Sequence, residues 1–202
     1  MNNLIGVTGL KGSGKDTVAK IINTLHQKQY KTKRFADPLK RFVADILGVS
    51  VEKLEDREFK ETILGKEWWI YQNPDTGEIY PYTDPPMFKD HHKLIKLTPR
   101  IFMQLIGTDV GRVIHPQMWV NALFSSYTKD SKWIIVDTRF DNEAKAIKDR
   151  GGIIIKVERD VGITDTHASE KGISDEYIDI VIDNNGSMEE LIEKVKTALY
   201  AS

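Results

Sequence analysis

The chain has 202 residues, 40% of them hydrophobic, which suits one domain with a real core and room for an inserted lobe. A formal net charge of −1 excludes a general basic footprint for nucleic acid, so any anion site must be local. The absence of cysteine excludes disulfides, thiolate catalysis and thiolate zinc sites.

Met1-Asn2-Asn3 opens the chain without a charged region, and no stretch reaches signal or membrane length. A cytoplasmic protein with no membrane and no nucleic-acid partner is expected. Leu4-Ile5-Gly6-Val7-Thr8 reads as a buried strand. Gly9-Leu10-Lys11-Gly12-Ser13-Gly14-Lys15 follows with the spacing G-x-x-x-x-G-K, and Val18, Ile21, Ile22 and Leu25 then recur at helical spacing. Strand, glycine-rich turn and helix are the context a phosphate-binding loop requires. Gly12 and Gly14 let successive N–H groups converge on phosphate oxygens, and the helix start adds unpaired donors and a positive dipole end. Lys15 supplies a mobile cation for the outer phosphates.

The residue after that lysine is Asp16, where a hydroxyl is usual, and Thr17 comes one later. A carboxylate beside a polyphosphate is repelled unless a cation stands between them. Asp16 therefore either holds Mg²⁺ with help from Thr17 or only favours the helix N-terminus electrostatically.

Four more strands are predicted: Lys31 to Phe35, Trp133 to Asp137, Ile153 to Val157 and Ile178 to Ile182. Their continuous apolar runs alternate with helical segments, so the sheet is expected to be mostly parallel and covered on both faces. Ligands gather beyond the carboxyl ends of such strands. That rule gathers residues 11–17, 36–40 and 137–143, Arg159 and residues 183–187 on one rim.

Between the second and third of these five strands the chain changes character. Leu39, Phe42, Val43, Ile46 and Leu47 form a helical stripe ending at Gly48, with Lys40 one turn from the rim. Residues 55–61 are a charge run, read as a solvated helix face that offers Arg57 and Lys60 as possible phosphate ligands. Asn73-Pro74-Asp75-Thr76-Gly77 is a turn within a hairpin excursion. His91-His92 reads as an exposed loop pair.

Thr98-Pro99 starts a helix whose core face is Ile101, Phe102, Leu105 and Ile106, with Arg100 elsewhere on its surface and Gly107-Thr108 as its end. Pro116 opens another, with Val120, Leu123, Phe124 and Tyr127 buried. Trp119 lies off that stripe, either as a core-edge filler or as a stacking partner for a base. An acid at the end of the third of these strands, Asp137, faces the phosphate loop and suits a metal- or substrate-orienting role. Residues 161–176 form a polar segment that reads as an ordinary loop or, from its place, as a mobile lid. His167 and Glu170 at i, i+3 lack a third ligand for a metal and are read as lid structure. Ser187-x-x-Glu190 is a capping box for the last helix.

Several stretches together resemble the deoxynucleoside monophosphate kinases of tailed bacteriophages. They are residues 9–17 with their Lys-Asp-Thr, Ala36-Asp37-Pro38-Leu39-Lys40, residues 103–109, Met118-Trp119-Val120, Val136-Asp137-Thr138-Arg139, Asp165-Thr166-His167 and residues 185–191. The likeness covers most of the chain and is weakest over 49–97. It implies an α/β, three-layer P-loop kinase fold: a mostly parallel five-stranded sheet flanked by helices, with a helical monophosphate-binding lobe and a lid. The core would be 1–36 and 131–202, the lobe about 37–130 and the lid about 160–176. It also implies a host-cytoplasm location and a monomer or homodimer.

The resemblance implies ATP contacts by Lys11, Gly14, Lys15, Asp16 and Thr17, with Asn184-Asn185-Gly186 near adenine. It implies monophosphate contacts by Lys40, Arg57, Gly107, Thr108, Trp119, Asp137, Arg139 and Glu143, and makes Arg159 the arginine next to the lid. The expected reaction joins MgATP to a deoxynucleoside 5′-monophosphate. Lys15, Arg139, Arg159 and Mg²⁺ at Asp16 serve the transferring group, and Lys40, Arg57 and Arg100 hold the acceptor phosphate. Two rivals stand beside it. One is a kinase for another metabolite such as phosphomevalonate or dephospho-coenzyme A. The other is a nucleotide-dependent switch, which the lack of an Asn-Lys-x-Asp guanine motif disfavours.

Overall fold

The computed structural model describes residues 3–160, 162 and 172–200. The polar segment with His167 and Glu170, read from the sequence as lid structure, lies mostly outside these residues.

Five parallel strands form the main sheet: β1 (Leu4–Thr8), β2 (Lys31–Lys33), β6 (Trp133–Ile135), β7 (Ile153–Glu158) and β8 (Ile180–Asp183). Their order is β2-β6-β1-β7-β8. β1 is central because all five of its residues are buried. It pairs Ile5 with Ile134 on one side and with Ile153 on the other. Side chains alternate between faces along a strand. Ile5, Val7, Ile155 and Val157 therefore pack with Val18 and Ile22 of α1 (Lys15–Leu25) and Leu191 and Val195 of α8 (Met188–Tyr200). Leu4, Ile135 and Ile154 pack on the opposite face with Val120, Leu123 and Phe124 of α6 (Met118–Phe124) and Ala144 and Ile147 of α7 (Asp141–Lys148). Helix, sheet, helix is the three-layer arrangement expected.

A second compact unit spans Pro38–Met118; the first comprises Met1–Asp37 and Trp119–Ser202. The second unit contains most of α2 (Ala36–Leu47), then α3 (Arg57–Glu61), α4 (Pro99–Gln104) and α5 (Gly111–Ile114). It also holds a small antiparallel sheet ordered β4-β3-β5, from β3 (Ile70–Gln72), β4 (Ile79–Pro81) and β5 (Lys93–Ile95). Val43, Ala44 and Leu54 are its buried centre, with Leu39, Phe59, Phe102 and Met103 against them. The predicted hairpin is present. Asn73 Oδ1 accepts from the N–H of Asp75 and of Thr76, at 2.9 and 3.2 Å, and so closes the turn.

Four details depart from expectation. The third strand of the small sheet had no turn signal to announce it. The expected lobe also reached too far, because α6 belongs to the first unit, where Phe124 stacks on Trp133. The helix from Thr98 does not end at Gly107-Thr108. It widens into a π-helical turn over Leu105–Val110 and continues as α5. Gly107 and Gly111 are both buried, so packing overrides their weak helix propensity. Finally, Trp119 lies with the buried side of α6 at 9% exposure, not off its stripe.

Candidate functional site

The phosphate loop is shaped by its glycines. Gly9 has φ +143°, and a Cβ there would fall 2.3 Å from the Val157 carbonyl oxygen of β7. Gly14 has φ +100° and caps α1, and a Cβ there would fall 2.3 Å from Asn184 Nδ2. Both conformations favour glycine, and both close approaches exclude a side chain. The Asn184 amide donates to the Ser13 carbonyl at 2.7 Å, which fastens the loop to the turn after β8. Lys15 Nζ donates to the carbonyls of Gly9 and Leu10, at 2.7 and 2.6 Å, so its ammonium sits over the loop.

A cavity of about 670 Å³ opens beside this loop. Gly9, Leu10, Thr138, Arg139, Arg159, Asp183 and Asn185 are among its lining residues. Within the first unit, the carboxyl-end rule thus brings the loop, the segment after β6, the end of β7 and the turn after β8 together. Thr138 Oγ1 is buried without a hydrogen-bond partner among the described residues, although buried polar atoms nearly always find one. Asn185 Oδ1 accepts from the Asp160 N–H at 2.8 Å, joining the ends of β7 and β8. Lys11, Gly12, Asp16 and Thr17 lie along the same loop and helix start. Asp16 is paired with Arg34 Nη2 at 2.6 Å.

Strand pairing of β6 stops at Ile135, short of the predicted Asp137, for a reason visible at that aspartate. Asp137 Oδ1 accepts from the Phe35 N–H at 2.7 Å and Oδ2 from the Ala36 N–H at 3.0 Å. Its carboxylate, not a strand ladder, fastens the start of α2. Part of Asp137 remains open to solvent. Even so, its dense surroundings push the carboxyl above its ordinary range, against the pull of those two N–H groups and the Arg139 charge. Glu143 is 2% exposed, and its carboxylate accepts from the N–H groups of Arg139 and Phe140. Both acids, expected at the monophosphate, are given an internal task here.

The remaining predicted residues lie in the second unit. Lys40 pairs with Glu55 at 2.5 Å, and Lys60 reaches the same carboxylate at 3.5 Å. Burial raises the Glu55 carboxyl, but hydrogen bonds and charge from Lys40 and Lys60 outweigh it, and the group ends below its ordinary value. Arg100 pairs with Glu61. Arg57 is exposed on α3. Gly107 is buried in the π-helical turn, where a Cβ would fall 2.7 Å from Leu39 Cδ2, and Thr108 beside it is exposed. Irregular helical turns of this kind concentrate at functional sites.

A protein-family model for deoxynucleotide monophosphate kinase matches residues 87–195. The chain belongs to the deoxynucleotide monophosphate kinase family. It is 30% identical to the deoxynucleoside-5′-monophosphate kinase of Escherichia phage T5, over 88% of this chain and 88% of that one. It is 35% identical to the deoxynucleotide monophosphate kinase of Enterobacteria phage T4, over 97% and 98%. It is 31% identical to the putative deoxynucleotide monophosphate kinase of Acanthamoeba polyphaga mimivirus, over 95% and 93%.

Sequence reasoning about this kinase set Asn184 on the right rim but missed its bond to the loop, and it missed Arg34. Asn184 touches the loop from 171 positions away, and no local pattern marks that particular contact. Arg34 carried a signal that went unused: a cation at the end of a strand on the same rim as an unexplained acid. Among the described residues, no group of three or more His, Cys, Asp or Glu is placed to hold a metal. No helix among them is long and apolar enough to cross a membrane.

Proposed function

We propose that this chain transfers the terminal phosphoryl group of ATP to a deoxynucleoside 5′-monophosphate, giving ADP and the diphosphate. The observation that carries the reading is the meeting of the phosphate loop with Arg139 and Arg159 around one cavity. Phosphoryl transfer asks a protein mainly to align donor and acceptor and to offset developing charge. Lys15 turns from its loop carbonyls to the outer phosphates, and Arg139 and Arg159 stabilise the transferring group. Lys11, Gly12, Gly14 and Thr17 hold the polyphosphate, and Asn185 lies on the adenine side. No base is needed, because the acceptor phosphate is already largely ionised at neutral pH.

Magnesium fits these residues as an ion held mostly by the nucleotide. Such sites need one or two protein oxygens rather than a dedicated cage. Asp16, 64% exposed at its side chain with one oxygen on Arg34, and Thr17 would supply them. When bound, the ion would neutralise charge on the phosphates.

On the acceptor side, Lys40, Arg57 and Arg100 bind the monophosphate's phosphate, Gly107 and Thr108 offer backbone and hydroxyl, and Trp119 meets the base. Arginine suits this task because its planar fork matches phosphate oxygens. Asp137 acts through the backbone it holds, and Glu143 through the segment that carries Arg139.

A coupled ADP-release assay across the four deoxynucleoside monophosphates and their ribo counterparts tests this. ADP release that depends on a monophosphate is the expected result. Lys15→Ala should abolish it, with a loss on the order of 3–4 kcal/mol of transition-state stabilisation or more. Slow ATP hydrolysis indifferent to every monophosphate would overturn the reading in favour of a nucleotide-binding switch.

A further inference from the structure

Asp16 offsets one of the loop's two lysine charges, Lys11 and Lys15, at the point where the loop must attract a polyanion. The structure supplies a further positive charge there. Arg34, immediately after β2, places Nη2 2.6 Å from Asp16 Oδ1. Its backbone is firmly held. The Arg34 N–H donates to Asp37 Oδ2 at 2.9 Å, and its carbonyl accepts from the Asp37 N–H at 3.0 Å. The next two residues donate to Asp137. The guanidinium therefore stands on a backbone tied both to the start of α2 and to the end of β6.

The pair is not explained by folding. Its side chains are 37% and 64% exposed, and an exposed ion pair contributes roughly 0–1 kcal/mol to stability. Its position at the first turn of α1, next to Lys15, is where charge matters to an incoming phosphate.

We propose that Arg34 is a positioning residue of the nucleotide site. It neutralises and holds the Asp16 carboxylate, so that the positive charge of Lys11 and Lys15 toward ATP is not offset by the acid that follows the second lysine. This rests on residues 9–17 being the ATP site. It explains how Asp16 is tolerated before any metal ion arrives.

The test is calorimetric binding of ATP in EDTA, with the full chain, at low and at high salt. R34Q is expected to bind ATP roughly tenfold more weakly than wild type at low salt, the scale of an uncompensated like-charge contact. High salt should shrink the difference, because exposed charges are screened. R34K should restore most of the affinity. In a D16N background, R34Q should cost no more than about twofold, since its partner is gone. Unchanged ATP affinity in R34Q would overturn the proposal and leave the pair a surface contact. An equal loss with and without Asp16 would overturn it too, and make Arg34 a direct phosphate ligand. If R34Q does not fold, D16N decides alone: it should bind metal-free ATP at least as tightly as wild type, and weaker binding refutes the idea. A wild-type chain that binds no ATP removes the site reading itself, whereas a result confined to the variants leaves that reading standing.

Discussion

At Gly14 two constraints meet on one atom. The left-handed backbone there opens α1, and the space a Cβ would take belongs to the Asn184 amide. Gly14→Ala combines backbone strain with the loss of the Asn184 to Ser13 bond. A destabilisation of about 1–3 kcal/mol is expected, with weakened ATP binding, read by denaturant unfolding and calorimetry. The need for glycine was legible in the motif. The partner that occupies its empty side was not, because contact between the turn after β8 and the loop is made only when β8 takes its place in the sheet. Arg139, Arg159 and Asn185 could be placed on one rim from the chain because each follows a strand end. Trp119 fits the core-edge reading, but its expected place off the stripe is overturned, because helical spacing predicts one buried stripe while α6 is covered more widely.

At the scale of elements, local signals served well wherever the stabilising bond is itself local. The Ser187 box closes as read: Glu190 N–H donates to Ser187 Oγ at 3.2 Å, and Ser187 N–H to Glu190 Oε2 at 3.0 Å. Thr98 caps α4 through the Ile101 N–H. The junction of β6 with α2 is different, because Asp137 joins segments about a hundred residues apart. Asp137→Asn leaves one oxygen where two N–H groups need acceptors, so roughly 1–3 kcal/mol of stability should be lost, measured by denaturant unfolding.

Glu55 gives a pH prediction on its own segment, just before α3. Its folded pKa lies below the ordinary value of 4.5, so its contribution to stability is present above that value. The contribution is lost as pH falls through the folded pKa, when the neutral acid releases Lys40 and Lys60. Melting temperature followed from neutral to acid pH should show this slope, and Glu55→Gln should flatten it.

For the whole molecule, the difference in core size between the two units carries a prediction. The first unit has an apolar cluster on each face of its sheet, and the second has a small one around Val43, Ala44 and Leu54. Local opening follows local burial. Hydrogen exchange should therefore be slowest at the amides of β1 and β7 and faster throughout 38–118. Equal protection everywhere would mean a single cooperative unit. The sequence by itself determined the five core strands, the phosphate loop, the caps and the acid that breaks the usual loop pattern. Each of these depends on periodicity, turn chemistry or backbone freedom among near neighbours. Tertiary structure alone decided the strand order, the third strand of the small sheet, the π-helical turn and the partners of Asp16, Asp137 and Gly14. Those depend on which distant segments pack together, and pairing across the sheet is set by the mutual burial of its strands and helices rather than by any one of them.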